Sequence, residues 1–413
     1  MTDPSSRRPG RALGESTRAV HTPPPPRVEQ TPLGLPVVRS AAFAFSSSQE
    51  YADLLTGAVD GYSYSRIDNP TADTFAAAVA ALEGAGVDGE VVGQPFASGM
   101  AAISTVLMAL TRAGSSVVLP REVYGGTYGL LTKVLSRFGV ETVLVDGWDL
   151  DAVRAAVRDD TALLYAETLA NPTMSVADLP GLAAIARDAG VPLVVDSTFA
   201  SPSVCRPLEH GADVVVHSAT KYLGGHSDAT GGVAVGRPEL LDRVRRARLD
   251  LGGSLSPDDA FLLHRGLATL PLRVARHCSS ALSVAEALAA SPLVDHVDHP
   301  GLPAHRDHAL AGKLFEAGRY GGVVSFTPRA RDGGPADRAR GFAVCDALRL
   351  VAVATSLGGT HSVVSHVPST THRQLDDEAL AAAGMGPATL RVSVGLEEPA
   401  DLVADLVQAL EAV

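Results

Sequence analysis

Cysteine is scarce: the 413 residues hold three, Cys205, Cys278 and Cys345, spaced too widely for a disulfide framework or a Cys-x-x-Cys metal clamp. A reducing cytoplasm is the expected compartment, and no metal site is expected. No apolar run is long enough to cross a bilayer, and Arg7, Arg8 and Arg11 are followed by no apolar leader core. The chain therefore reads as soluble, retained in the cell and without a membrane partner. Basic residues are also in deficit, 34 Lys and Arg against 46 Asp and Glu for a net charge of -12, and they are scattered rather than gathered into a stripe. That excludes nucleic acid as an expected partner. No Gly-x-Gly-x-x-Gly follows an early strand, which argues against a dinucleotide-dependent oxidoreductase, and no repeat of fixed period occurs.

What the chain does have is apolar mass. Its 46% hydrophobic content is enough for a large α/β body with a second domain attached. Residues 1–30 are polar and contain four consecutive prolines at 23–26, which favours an extended, flexible tail. Residues 31–72 have scattered apolar positions without clean periodicity and read as an arm lying on another surface. From there to 236 the pattern alternates between helical stretches such as GMAAISTVLMALTRAG, YGLLTKVLSRFG and PGLAAIARDAG and strand-like runs such as SVVLP, VETVLVD, TALLYAET, VPLVVDST, ADVVVHSAT and GGVAVG. This predicts a mostly parallel sheet covered on both faces, in a large domain over 73–272. A long helical region from about 256 to 290 leads out of it, and residues 273–413 form a smaller α/β domain.

In such sheets ligands bind beyond the carboxyl ends of the strands, so unusual polar residues there carry the functional information. Lys221 follows the run ADVVVHSAT closely, at the exit of a buried strand. A buried, unpaired ammonium is costly, so it has a counter-charge or is held neutral for chemistry. Asp196 ends the strand VPLVVD, as a cap or facing a cationic nitrogen. Together the two suit a pyridoxal phosphate enzyme, which needs a lysine for the Schiff base and an acid for the pyridinium nitrogen. Ser98-Gly99-Met100 opens a helix and offers either an ordinary cap or a phosphate cradle. Ser218 and Thr220 share a face and can donate to one phosphate. Tyr124, in YGGTYG, is a core tyrosine or an aromatic ring brought against a planar ligand.

These residues sit in nine stretches that resemble the Cys/Met metabolism pyridoxal phosphate enzymes, the group of the cystathionine synthases and lyases, methionine γ-lyase and the O-acylhomoserine sulfhydrylases: YSRIDNPT (64–71), SGMAAI (98–103), YGGT (124–127), ETLANP (167–172), VDSTFASP (195–202), HSATKYLGGHSD (217–228), RGLATLPLR (265–273), SLGGTHS (356–362) and LRVSVGLE (390–397). The resemblance implies an aspartate aminotransferase-like (fold type I) architecture and pyridoxal 5'-phosphate as cofactor. It further implies that Lys221 carries the Schiff base and shuttles protons, that Asp196 pairs with the pyridine nitrogen, and that Tyr124 stacks on the ring and helps as acid or base. Asn171 would bond the ring hydroxyl, Thr198 would pack nearby, and Ser98, Gly99, Met100, Ser218 and Thr220 would hold the phosphate. Tyr64 and Arg66 would reach the phosphate of a neighbouring subunit, making the arm part of a homo-oligomer, a tetramer built as a dimer of dimers. Arg391, with Ser356 and Thr355, would receive an amino-acid substrate.

The implied reaction is elimination or replacement at Cγ or Cβ of a sulfur amino acid or an activated homoserine, a carbon–sulfur lyase chemistry. A γ-replacement synthase using O-acylhomoserine and a cofactor-binding but silent protein are the alternatives. Ser63, Gly129 and Thr355 stand where enzymes of the group that handle cystathionine often carry charged residues, which counts against that substrate. Gly126 replaces the cysteine usual in methionine γ-lyases, and His361 reads as a structural histidine rather than a catalytic one.

Overall fold

A computed structural model describes residues 15–20, 30–147, 149–332, 334–371, 373, 380 and 385–413. Most of the expected tail at 1–30 lies outside the described residues; within it, Glu15–Val20 is helical.

Seven strands form the larger sheet: β1 (Val92–Phe96), β2 (Ser116–Pro120), β3 (Glu141–Val145), β4 (Thr161–Glu167), β5 (Leu193–Asp196), β6 (Val214–Ser218) and β7 (Gly232–Gly236), in the order β1-β7-β6-β5-β4-β2-β3. The run from β6 to β3 is parallel, and β7 pairs antiparallel with both β6 and β1. The Val/Leu-rich strands are buried on both faces because each face is covered by helices, so successive residues alternate between two cores. Leu193 and Val195 enter the core under helices Pro70–Glu83 and Leu179–Ala189; Val194 enters the other, under Gly99–Leu110. At roughly 1.5–3 kcal/mol per fully buried aliphatic side chain, these layers fix the register of the strand ends.

The second sheet holds β8 (Val294–Asp298), β9 (Val323–Pro328), β10 (Ala352–Val353), β11 (Val363–His366) and β12 (Leu390–Ser393), in the order β10-β11-β12-β9-β8. The expected helical region from 256 to 290 is two helices, Pro257–Leu267 and Leu270–Ala290. Pro271 has no N–H to continue the first helix and is suited to the first turn of the second. Strand β1 was not foreseen: its sequence VGQPF carries the two residues least typical of strands, tolerated here at a sheet edge. The expected helix YGLLTKVLSRFG is broken into a turn of α-helix (Gly125–Gly129), a π-helical turn (Leu130–Val134) and a 3-10 turn (Leu135–Phe138). Among the described residues no helix is long and apolar enough to cross a membrane.

Candidate active site

Three neighbouring parallel strands end on polar residues, Glu167 on β4, Asp196 on β5 and, two residues beyond the level of Asp196, Ser218 on β6. Glu167 and Asp196 are paired in the ladder, so their carboxyl groups leave the same face side by side. Asp196 is 8% exposed; its Oδ1 accepts the Thr198 N–H at 2.9 Å and its Oδ2 accepts the Tyr165 hydroxyl at 3.5 Å. Burial pushes the acid upward, against the bonds from Thr198. Glu167 is raised well above the usual carboxylate range, by burial and then by the charge of Asp196, although its Oε1 accepts the Tyr124 N–H at 2.6 Å. Two carboxyl groups so placed cannot both ionise cheaply, and a cation facing Asp196 would relieve the pair.

Lys221 lies in the turn after β6. Its Nζ donates to Ser356 Oγ at 2.7 Å, and among the described residues it forms no ion pair. Burial lowers its pKa and the Arg391 charge lowers it further. Of the two readings open from sequence, counter-charge or neutral amine, the first has no carboxylate partner for Lys221 among the described residues.

Arg391, on β12, is 4% exposed and brings the second sheet to the lysine. Its Nη1 donates to Asn171 Oδ1 at 2.8 Å and its Nη2 to Ser356 O at 3.3 Å, while Nε is buried without a partner among the described residues. No carboxylate balances it among the described residues, and burial pulls its pKa down to about 10. A buried guanidinium with an unused donor is suited to an incoming carboxylate. Ser356 holds φ at +83°, a left-handed conformation costly for a side-chain-bearing residue, and thereby presents both its oxygens to the site.

The helix Gly99–Leu110 begins beside Ser218. Ser98 Oγ accepts from Ala101 N at 3.1 Å, so the hydroxyl serves as a cap, and a Cβ on Gly99 would stand 2.6 Å from Ser218 Cβ. Ser218 N donates to Thr198 Oγ1 at 2.8 Å, and Thr220 Oγ1 accepts the Gly231 N–H at 3.0 Å. These groups and Met100 converge, with the Ser98 and Thr220 hydroxyls already engaged within the chain. Tyr124 is 42% exposed and leans back over its own turn: a Cβ on Gly126 would lie 2.5 Å from Tyr124 Cε1 and 3.0 Å from Met100 Sδ. A cysteine at 126 would displace the ring.

Tyr64 and Arg66 are not brought to this cluster within the chain. Both are exposed, with the Arg66 guanidinium 5.7 Å from the Tyr64 ring centroid and its Nη1 donating to Leu249 O at 2.8 Å. Thr355 is exposed beside Ser356. His361 is exposed and its Nδ1 pairs with the Thr360 hydroxyl at 3.1 Å. A Cβ on Gly129 meets open space, so the absence of a side chain there is not imposed by crowding. Glu167 and Tyr165 were not singled out from the sequence. The signal was available: TALLYAE ends an apolar strand on an acid as VPLVVD does.

The fit to pyridoxal phosphate rests on this donor set among the described residues: an amine with no ion pair, a buried acid open to a cation, a helix start packed against Ser218, and a guanidinium with an unused N–H. Comparison with known proteins agrees. Residues 16–411 match the Cys/Met metabolism PLP-dependent enzymes. L-methionine gamma-lyase of Pseudomonas putida is 42% identical over 401 residues, covering 97% of this chain and 98% of that protein. Cystathionine gamma-synthase of Mycobacterium tuberculosis is 39% identical over 398 residues, covering 96% and 97%. The solved structure of a candidate O-acetylhomoserine (thiol)-lyase of Campylobacter jejuni, which carries N'-pyridoxyl-lysine-5'-monophosphate, superposes with a TM-score of 0.87 at 32% identity, covering 97% of this chain and all of that one.

Proposed function

The chain belongs to the Cys/Met metabolism PLP-dependent enzyme family, and from that premise we propose which residues of this pyridoxal-phosphate-dependent enzyme perform its elimination or replacement chemistry. The substrate is a sulfur-containing amino acid or an activated homoserine, cleaved or exchanged at Cγ or Cβ. When bound, the cofactor supplies a protonated pyridine ring that accepts the electron pair released at the substrate's Cα. Lys221 holds the cofactor, and its Nζ, once free and unprotonated, takes the Cα proton and moves protons along the side chain. Asp196 keeps the ring nitrogen protonated. Arg391 and Ser356 orient the α-carboxylate; Asn171 and Thr198 line the ring; Tyr124 covers it and serves the leaving group. Ser98, Gly99, Met100, Ser218 and Thr220 receive the phosphate.

The observation that carries this reading is the Lys221 amine, partly buried beside a guanidinium and bonded, among the described residues, only to a hydroxyl. Reduction of the yellow holoenzyme with borohydride, followed by peptide mass spectrometry, is expected to place the cofactor on Lys221. Only Lys133 and Lys313, both exposed, compete. A cofactor found elsewhere ends the assignment. On the substrate side, uncharged Ser63, Gly129 and Thr355 favour a small thioether or an acylated homoserine over cystathionine. Assays of ammonia, 2-oxoacid and thiol release should give methionine or O-acylhomoserine a kcat/KM at least about tenfold above cystathionine, the discrimination a few unpaired polar groups provide. Turnover of none, with cofactor bound, would make the protein a silent binder.

Exposed Tyr64 and Arg66 support a homotetramer in which the arm at 31–72 completes a neighbour's phosphate site, with the large domain at 73–272 and the small one at 273–413. A monomer with full activity in sedimentation would remove that part of the reading. Three buried free cysteines accord with a cytoplasmic setting.

A further inference from the structure

Arg273 is 5% exposed, yet among the described residues it meets no carboxylate. Its guanidinium is consumed by neutral acceptors: Nη1 donates to Tyr222 O at 2.8 Å, Nη2 to Gly266 O at 2.7 Å and to Leu223 O at 3.3 Å, and Nε to Thr269 Oγ1 at 3.0 Å. Tyr222 and Leu223 are the two residues after Lys221. The turn is crowded around this clamp, since a Cβ on Gly225 would overlap Arg273 Nη1. A buried cation without a counter-ion is expensive to maintain unless several carbonyl dipoles face it. Simple packing would be served more cheaply by an apolar residue, so the arrangement points to a need for a rigid turn.

One helical turn further along Leu270–Ala290, on the same face, His277 Nδ1 donates to Val394 O at 2.7 Å, immediately after β12, the strand of Arg391. Burial lowers the His277 pKa and so favours the neutral ring, while the bond to Val394 O places the proton on Nδ1. Between the two contacts the Tyr222 ring stands edge-on to His277 at 5.5 Å, and a Cβ on Gly358 would come within 2.8 Å of Tyr222 N. The Ser356–Gly358 segment therefore lies against the lysine turn. One helix thus grips, on a single face, the segment bearing the amine and the strand bearing the carboxylate clamp.

Resting on the roles given above to Lys221 and Arg391, we propose that Arg273 and His277 are a pair of positioning residues that set the separation between the cofactor-bearing amine and the guanidinium for the substrate's α-carboxylate. Arg273 acts through the Lys221 turn and His277 through β12. Displacements of about 1 Å at a reacting centre cost on the order of a hundredfold in rate, which sets the scale of the effect.

The test uses the holoenzyme of Arg273→Lys, His277→Leu and His277→Asn beside the wild type. Borohydride trapping on wild-type Lys221 comes first; if it fails, the assignment of Lys221 falls and this inference with it. With trapping in place, Arg273→Lys, which can satisfy only part of the carbonyl set, is expected to lower kcat about 30-fold with KM within threefold. It should also halve, or more, the visible circular dichroism of the bound cofactor. His277→Leu is expected to raise KM about tenfold with a smaller change in kcat, and His277→Asn, whose Nδ2 can replace Nδ1, to restore most of it. If these variants lose melting temperature while dichroism, kcat and KM stay at wild-type values, the pair is merely structural and the inference is wrong. The mild Arg273→Lys change and the asparagine rescue keep that outcome readable even where a leucine variant fails to fold.

Discussion

Lys221→Ala is expected to lower kcat by at least about 10^4 while leaving the protein folded and able to take up the cofactor non-covalently. Two losses combine. General acid–base transfer by a placed side chain contributes about 10^2–10^4, and the covalent attachment that fixes the ring disappears with the same amine. Arginine at 221 is no substitute, because a guanidinium does not lose its proton in a protein and offers no free amine. The loss is not expected to come from instability. Lys221 bonds to Ser356 Oγ and takes part in no ion pair among the described residues. Its lowered pKa means that protonation costs folding energy, a cost absent above the unfolded value of 10.5 and incurred as pH falls through the lowered folded value. At pH 7 the cofactor-free Lys221→Ala protein should therefore melt at or above the wild-type temperature. Steady-state kinetics with calorimetry of the same samples checks both parts, and a kcat within tenfold of wild type would remove Lys221 from the chemistry.

The candidate site was legible because strand exits are legible. A run of β-branched residues that stops at one polar residue marks both the strand and the mouth of the cleft, which is how Asp196 and Lys221 stood out. The supports were not legible, because their partners lie far away in sequence. Glu167 and Tyr124 N are 43 residues apart, Arg273 and Tyr222 O are 51, Arg391 and Asn171 are 220. Single-chain patterns carry no record of such pairs. The broken helix after Tyr124 was hidden for a different reason: apolar spacing in YGLLTKVLSRFG is helical, but i→i+5 and i→i+3 turns use nearly the same spacing. Edge strand β1 escaped because propensity weighs glycine and proline against a strand, whereas at Gly93 and Pro95 the ladder with β7 prevails.

The second large effect is expected at Asp196. Replacing it with alanine should reduce kcat about 10^3-fold, from the following magnitude. Opposite unit charges about 4 Å apart at an effective dielectric of about 20 interact by about 4 kcal/mol, and each 1.36 kcal/mol is a decade in rate. Asparagine should do little better, since it keeps the Thr198 N–H bond at 2.9 Å but carries no charge to hold a proton on the ring nitrogen. The pH dependence discriminates this electrostatic role from a packing role. Without the anion the ring nitrogen must draw its proton from solvent, so the deficit of the variant relative to wild type should shrink as pH falls and widen as it rises. Stability should move the opposite way. Burial raises the Asp196 pKa in the cofactor-free chain, so ionisation there costs energy that is absent below the unfolded value of 3.8 and incurred as pH rises through the raised one. The cofactor-free Asp196→Ala protein should accordingly be more resistant to heat at neutral pH, and Glu167, freed of the neighbouring charge that raises it, should titrate lower. A variant that is less stable, retains more than a tenth of wild-type kcat and shows a deficit independent of pH would mean that Asp196 caps its strand and does nothing else.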